Sequence, residues 1–541
     1  MVTASPFHAG ELAAQRLTGA TDAASAGGAF IRDAMPDQHR RFFAALPFLV
    51  VTGGDGDGQI WLSVLEGPEG FAHSPDPRHL SMAATLHHDD PLAASIARGG
   101  PVGLLGIELA TRRRNRLNGI LTTTSQGYLL EVVQSFGNCP QLITTRVWHR
   151  DASHLPGPVR ISDRLDAAQT ARIAAADTLF IGSGYMSEGK GAANGYDASH
   201  RGGAPGFVRI NDDRSLQIPD YPGNSFFNTI GNLIGDPRVG LLFIDFDTGS
   251  LLHLTGRARI DWHPGDSHDP DARRMIHVGI DQVVDRPSAL SLRWQRPSGD
   301  GLTLNVIDKV VESEGITSLH LASADGAALG HFQAGQHLPV SLDIPGRQAP
   351  VGRSYSLSGD PAAPTWRISV KREERGIASR FLHDAVRVGD VITARRPQGD
   401  FTLPPGERPL VLVSAGVGIT PMLSMLHALV TDQPQRQVSF VHAARNGRNH
   451  AFAGEAADLV SRGGRMTRLV HYSAPENEDD YRTFGRTGRI GAADLLALPT
   501  ADDADFLLCG PAGFVAEIRA GLESGGVATG RIHLETFGPA G

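Results

Sequence analysis

Apolar residues in this chain come in short blocks, and the spacing of the blocks divides the sequence. Through roughly the first half they are strand-length and separated by polar turns, as in Val102-Gly103-Leu104-Leu105-Gly106-Ile107-Glu108-Leu109 and Val239-Gly240-Leu241-Leu242-Phe243-Ile244-Asp245-Phe246. Short strands punctuated by turn signals predict β-barrels rather than a helical repeat. After a Pro/Gly-rich boundary at Arg286 to Gly301, short alternating strands resume from Leu302, including Val340 to Asp343 and Trp366 to Val370, and predict a small antiparallel barrel. From Arg408 strand and helix alternate, with strands expected at Leu410 to Ser414, Gln437 to His442, Arg468 to Tyr472 and Phe506 to Cys509, the pattern of a parallel sheet. Pro409 to Val430 holds no Asp, Glu, Lys or Arg over 22 residues, yet it is no membrane helix. It splits into a β-branched strand, a glycine loop and a helix opening near Pro421, the start of a nucleotide-binding α/β unit whose strand is buried on both faces.

Length and charge narrow the classes. A chain of 541 residues is long enough for three or four domains, each with its own core. Lys plus Arg is 50 against 58 acidic residues, and the net charge of -8 argues against nucleic-acid and membrane partners. Cys139 and Cys509 lie far apart, which excludes a disulfide scaffold and a four-thiolate cluster, and no metal site is expected. With no secretory pattern in Met1 to Gly19, the cytoplasm is the expected compartment.

The first half repeats itself. Gly67-Pro68-Glu69-Gly70-Phe71 matches Gly203-Ala204-Pro205-Gly206-Phe207 about 136 residues later. The register persists through Val102 and Val239, then through Asn118-Gly119 and Thr255-Gly256, each 16 residues further on. The second copy carries Asp197-Ala198-Ser199-His200-Arg201-Gly202-Gly203, where amides and a guanidinium beside glycines make a phosphate nest or a polar surface turn. Asn228 to Leu233 reads as a short helix after a Pro/Gly loop, and Arg112-Arg113-Arg114 with Arg116 as a solvated hairpin tip or part of a shared site. This copy resembles the split-barrel flavoproteins related to pyridoxamine 5'-phosphate oxidase, over roughly residues 40 to 295. The resemblance implies an FMN site made by Ser199, His200, Arg201, Gly202, Asn228 and Asn232, usually at a dimer interface, so a homodimer is one expectation and an internal dimer-like pair another. An arginine that many relatives place after the Pro-Gly-Asn element is missing from Gly223-Asn224-Ser225-Phe226-Phe227-Asn228.

The second half holds the denser motifs. Arg353-Ser354-Tyr355-Ser356 offers a guanidinium for a pyrophosphate, a ring to stack on an isoalloxazine and a hydroxyl for the ring edge. Gly376-Ile377-Ala378-Ser379 opens a helix whose free amides suit an anion, with Ser379 as the phosphate ligand. Gly416-Val417-Gly418-Ile419-Thr420-Pro421 and Cys509-Gly510-Pro511 follow in order. With Phe332-x-Ala334-Gly335-Gln336, Val370-Lys371-Arg372-Glu373, Gly399-Asp400-Phe401, His442-Ala443-Ala444-Arg445-Asn446 and Glu535-Thr536-Phe537, residues 302 to 541 resemble the ferredoxin-NADP reductase superfamily, most closely the reductase part of flavohaemoglobins and oxygenase reductases. That resemblance implies FAD bound through the Arg353 strand, Lys371 and the Gly376 helix, and NAD(P)H bound through Gly416, Gly418, Thr420, Pro421, Arg445, Gly510 and Pro511. It places Cys509 near the nicotinamide, Glu535 as its orienter and Phe537 over a flavin face, so Cys509, Glu535 and Ser356 are the catalytic candidates.

The expected fold is therefore multidomain β and α/β. A first split-barrel repeat with an N-terminal extension spans 1–160, an FMN-binding second repeat 161–298, an antiparallel FAD-binding β-barrel 299–405 and a parallel-sheet α/β NAD(P)-binding domain 406–541. The expected activity is a flavin oxidoreductase passing electrons from NAD(P)H through FAD to the FMN barrel or to an external acceptor. Two alternatives stand: an oxygenase reductase with the barrels as docking modules, and a haem-binding or sensing barrel served by His200, His253 or His277. The acceptor, and NADH against NADPH, stay open.

Overall fold

A computed structural model describes residues 5–537 apart from 22–23, 25–27, 29–30, 138–141, 188–193, 266, 270, 297–300, 348–349, 375 and 481–483. The chain divides into two compact units, Met1–Ser298 and Gly299–Gly541.

The first unit is built on two large antiparallel sheets and a small two-stranded third. One contains β1 (Phe48–Gly54), β2 (Ile60–Glu66), β3 (Ala72–Asp76), β4 (His79–Met82), β5 (Gly100–Glu108), β6 (Arg113–Thr124) and β7 (Gly127–Gly137), in the order β2-β1-β5-β6-β7-β4-β3. After the short strands β8 (Val147–Arg150) and β9 (Arg160–Ser162) comes the second, with β10 (Thr178–Tyr185), β11 (Gly195–Gly202), β12 (Arg209–Asp212), β13 (Ser215–Asp220), β14 (Arg238–Ile244), β15 (Leu251–Asp261) and β16 (Arg274–Arg286). Its order, β11-β10-β14-β15-β16-β13-β12, is the same path through equivalent strands. A final strand, β17 (Leu292–Gln295), pairs with β8, and β9 pairs with β16.

Matched glycines explain the matched geometry. A register shift falls at Asn118/Gly119 in one sheet and at Thr255/Gly256 in the other. A Cβ at Gly119 would lie 2.1 Å from the Glu131 carbonyl oxygen, and one at Gly256 1.9 Å from that of Gly279, so each bulge requires glycine. The sheets also pack reciprocally. Gly103 of β5 lies against the Tyr196 carbonyl of β11, and Gly240 of β14 against the Ile60 carbonyl of β2, the i-to-j and j-to-i pattern of an isologous interface.

The second unit joins a barrel to an α/β fold. The barrel strands are β18 (Leu302–Ser313), β19 (Ile316–Ser323), β20 (His337–Leu342), β21 (Val351–Ser356), β22 (Trp366–Lys371) and β23 (Val391–Ala394), in the order β21-β20-β23-β18-β19-β22. The α/β fold has β24 (Leu410–Ala415), β25 (Val438–Ala444), β26 (Met466–Tyr472), β27 (Arg486–Thr487), β28 (Asp505–Pro511) and β29 (Ile532–Phe537), all parallel, in the order β27-β26-β25-β24-β28-β29. The chain order reverses beside β24, so the strand ends there form a topological switch point where ligands bind. Barrel residues Ile316 and Ala334 share one core with Met422 and Met425 of the helix Ile419–Asp432. No helix among the described residues is long and apolar enough to cross a membrane.

Candidate functional site

The barrel presents its motif on an edge strand. β21 pairs antiparallel with β20, placing Arg353 opposite Val340 and Ser356 opposite His337. Strand alternation puts Arg353 and Tyr355 on one face, Ser354 and Ser356 on the other. Ser356 is buried, and its Oγ has no hydrogen-bond partner among the described residues. The Arg353 guanidinium is part-exposed and donates to the Gly352 carbonyl at 2.8 Å. Burial pushes the Tyr355 hydroxyl up to about 12 against the opposing pull of Arg353. Gly376 caps a helix that runs as Ile377–Arg380 and continues as a π-turn over Phe381–Ala385. Ala378 and Ser379 are buried in it, whereas Ile377 is exposed. Ser379 Oγ lies 3.2 Å from both the Glu373 amide and the Gly376 carbonyl, so it closes its own turn. Lys371 is exposed and paired with Glu373 at 2.8 Å.

At the switch point, β24 ends in a tight turn at Gly416–Gly418 before the helix Ile419–Asp432. Gly416 has φ +54° with open space where a side chain would stand, while a Cβ at Gly418 would lie 2.3 Å from the Cys509 carbonyl oxygen. Thr420 Oγ1 donates to the Val417 carbonyl at 3.0 Å, and Thr420 and Pro421 are buried in the first helical turn. Cys509 is fully buried at the end of β28, followed by Gly510 at φ +158° and the exposed Pro511. Across the ladder Cys509 pairs with Glu535. Burial raises the Glu535 carboxyl to about 7, and its Oε2 is shielded from solvent with no partner among the described residues. Burial, with the nearby Glu535 carboxyl, pushes the Cys509 thiol well up, so it is a neutral thiol rather than a nucleophile. Arg445 is exposed just beyond β25. Phe537 ends β29, and its side chain lies outside the described residues.

Two family descriptions match this unit: the oxidoreductase FAD-binding domain over residues 302–403 and the oxidoreductase NAD-binding domain over residues 412–520. Residues 302–520 are a flavin reductase module of the ferredoxin reductase superfamily. The module is flavohaemoglobin-like. The chain is 41% identical over 248 residues to a flavohemoprotein of Deinococcus radiodurans, covering 45% of this chain and 62% of that one. It is 40% identical over 242 residues to one from Bacillus cereus, covering 43% and 60%. The FAD/NAD-binding domain of a nitric oxide dioxygenase from Vibrio cholerae is 40% identical with a TM-score of 0.41, covering 44% of this chain and 100% of that one. The chain thus spans about three-fifths of the length of these curated relatives.

FAD and NAD(P)H suit the residues of the reductase module. Ser356 Oγ and Glu535 Oε2 are buried polar atoms that lack protein partners, a condition natural sites keep for a ligand. Sequence reasoning missed a buried chain beneath the glycine turn, in which Ser414 Oγ meets His442 Nδ1 at 2.8 Å, His442 stacks on His450 at 4.9 Å and His450 Nδ1 meets the Tyr472 hydroxyl at 2.9 Å. Ser414 and His442 sit at motifs, whereas His450 and Tyr472 come from separate segments with no local signal.

The N-terminal candidates have a different setting. Ser199, His200, Arg201 and Gly202 lie in β11 rather than in an open turn, and Ser199, His200 and Gly202 are buried. Arg201 pairs with Asp220, which also holds Arg274 at 2.7 Å. Ser199 Oγ meets Thr229 Oγ1 at 2.9 Å and Asp197 at 3.2 Å. Asn228 and Asn232 do form a helix, Asn228–Gly235, but their side chains face the N-terminal segment: Asn228 donates to Glu11 at 2.6 Å, and Asn232 Oδ1 lies 2.8 Å from His8 Nε2. Nor is Arg116 at a solvated tip. It is buried in β6 and reaches across to Asp197 at 3.0 Å, while Arg114 reaches His200 Nδ1 at 3.1 Å. Burial, then Arg114, Arg201 and Arg146, holds His200 neutral.

Proposed function

We propose that this NAD(P)H-dependent flavoprotein oxidoreductase holds FAD along β21 and NAD(P)H across the strand ends at Gly416, and passes electrons to the N-terminal unit or to an external acceptor. The observation that carries this reading is the pair of buried, partnerless polar atoms, Ser356 Oγ and Glu535 Oε2, in domains matched to FAD and NAD binding. Bound FAD supplies the hydride-accepting and electron-splitting chemistry. The chain supplies the rest. Arg353 offers a charge-assisted partner for the pyrophosphate, Ser356 a hydroxyl for the flavin edge, and Glu535, close to half protonated near neutral pH, a group able to donate to or accept from a carboxamide. Gly418 lets the pyrophosphate turn approach β28, where a side chain would clash. Acid release of the cofactors, followed by anaerobic reduction with NAD(P)H, tests the reading; protein without FAD would refute it.

For the N-terminal unit we propose a duplicated split barrel with FMN as its cofactor. The shared strand order, the paired glycine bulges and the reciprocal packing support the duplication. One polar site per chain follows, since Asp197, Asn228 and Asn232 align with Trp61, Leu92 and Ile96 in the first copy. Ser199 and Arg201 are engaged by Asp197, Thr229 and Asp220, so no electron-transfer step is assigned to FMN at these residues. A haem reading has two observations in its favour: His200 Nε2 and His253 Nε2 are buried without partners among the described residues, and the curated relatives are flavohemoproteins. A Soret band in the purified protein would select haem; its absence with FMN released by acid would select the flavin.

A further inference from the structure

Three side chains from three elements meet where the barrel faces the α/β fold. Glu455, on the helix Ala453–Arg462, accepts from Arg367 of β22 at 2.8 and 3.0 Å and from His427 Nε2, on the helix Ile419–Asp432, at 2.7 Å. Burial pushes the Glu455 carboxyl up, but the His427 and Arg367 hydrogen bonds outweigh it and hold the group down to about 2, a permanent carboxylate. The Arg367 guanidinium lies over the Phe452 ring at 5.0 Å. The same guanidinium bonds the Ser358 carbonyl, and its Nε lies 3.2 Å from Ser358 Oγ. Ser358 is two residues beyond Ser356, on the segment leading away from the flavin-facing strand. A continuous strut therefore runs from two helices of the α/β fold to the backbone beside the flavin contact.

We infer that Arg367, Glu455 and His427 are positioning residues for hydride transfer, fixing the distance between the nicotinamide end of the α/β fold and the flavin edge of the barrel. This rests on the reading that places flavin at Ser356 and nicotinamide at Cys509. The apolar core shared by Ile316, Ala334, Met422 and Met425 joins the two folds, but apolar contact is non-directional and leaves sliding at low cost. A two-pronged Arg–carboxylate pair fixes orientation. Its role lies in geometry: a part-exposed ion pair adds little to stability, whereas an ångström of misplacement costs on the order of 100-fold in rate.

The test is Glu455→Gln in the full-length chain, which keeps the shape and removes the charge. FAD content and the Kd for NADH should stay within about two-fold of the parent, while the limiting rate of anaerobic flavin reduction falls about 10-fold or more and the primary isotope effect with 4-deuterated NADH rises as the hydride step becomes more fully limiting. Glu455→Asp, which keeps the charge, should recover part of the rate. An unchanged limiting rate overturns the inference, and so does a loss that tracks FAD release, which would make the strut a flavin-retention element. If Glu455→Gln does not fold, His427→Gln takes its place, with a smaller slowing expected and parental rates contradicting the strut. Failure of the parent protein itself to bind FAD or to be reduced by NADH would count against the underlying site assignment instead.

Discussion

The two candidate sites differ in how their polar atoms are spent. In the reductase module Ser356 Oγ and Glu535 Oε2 are buried without protein partners. In the N-terminal unit Arg116 is matched to Asp197, Arg201 to Asp220, Asn228 to Glu11, and Asn232 to His8. A buried polar atom left unpaired costs about 1–3 kcal/mol, a penalty retained where a ligand removes it. Among the described residues the reductase pair is left wholly unpaired, whereas the N-terminal candidates are engaged by the chain except at His200 Nε2, Arg201 Nε and Arg116 Nε.

The sharpest way to break this contrast is to remove a cofactor contact from one side only. Arg353→Ala should weaken FAD retention by roughly 1.5–3 kcal/mol, about 10- to 100-fold, through loss of a charge-assisted partner. Full FAD occupancy after gel filtration would remove Arg353 from the site. On the proposed placement of the nicotinamide beside Cys509, Cys509→Ala should leave FAD bound and slow its reduction by NAD(P)H by a smaller factor, the neutral thiol not reacting. Stopped-flow reduction at the parental rate would reduce Cys509 to packing.

A pH profile sharpens the same contrast. Burial raises the Glu11 carboxyl to about 8, with Asp197 adding to the rise and the His8 amide, Asn228 and Arg116 opposing it. Folded Glu11 thus holds its proton where the unfolded chain, near 4.5, has released it, so its contribution is full below about 4.5 and stability is lost as pH rises through about 8. Glu11→Gln should flatten that decline in the thermal unfolding of the N-terminal unit, and an unaltered slope would contradict the burial. Smallest of all is the expected effect of Arg201→Ala on the reductase module: FAD content and NAD(P)H reduction should not change. Its FMN content then decides whether β11 holds a phosphate, with retention of FMN excluding Arg201.

How legible each region was follows from the length scale of its contacts. The motifs at Arg353, Gly416 and Cys509 are contiguous, and each maps onto a strand end or the turn after it, so spacing alone placed them on β21, β24 and β28. The two bulges left a local trace for the same reason, because a register shift that admits only glycine leaves a glycine in the sequence, at Gly119 and Gly256. Partnerships across the sheets were not. Arg116 and Asp197 are 81 residues apart and Arg367 and Glu455 88 apart, and nothing local distinguishes a paired arginine from a solvated one. Ser199-His200-Arg201 reads as a phosphate nest or a surface turn because its residues are polar and stand beside glycines, whereas the Asp197, Thr229 and Asp220 partners let it run as the strand β11.

The central claim, that a partnerless site in one unit receives FAD and passes it hydride from NAD(P)H, is tested most directly by anaerobic titration of the full-length protein with NADH after acid release has counted the bound flavins. The account predicts a full complement of FAD whose oxidised absorption bleaches on NADH addition, in step with NADH consumed. Protein that carries no FAD, or FAD that stays oxidised in excess NADH and NADPH, would contradict it.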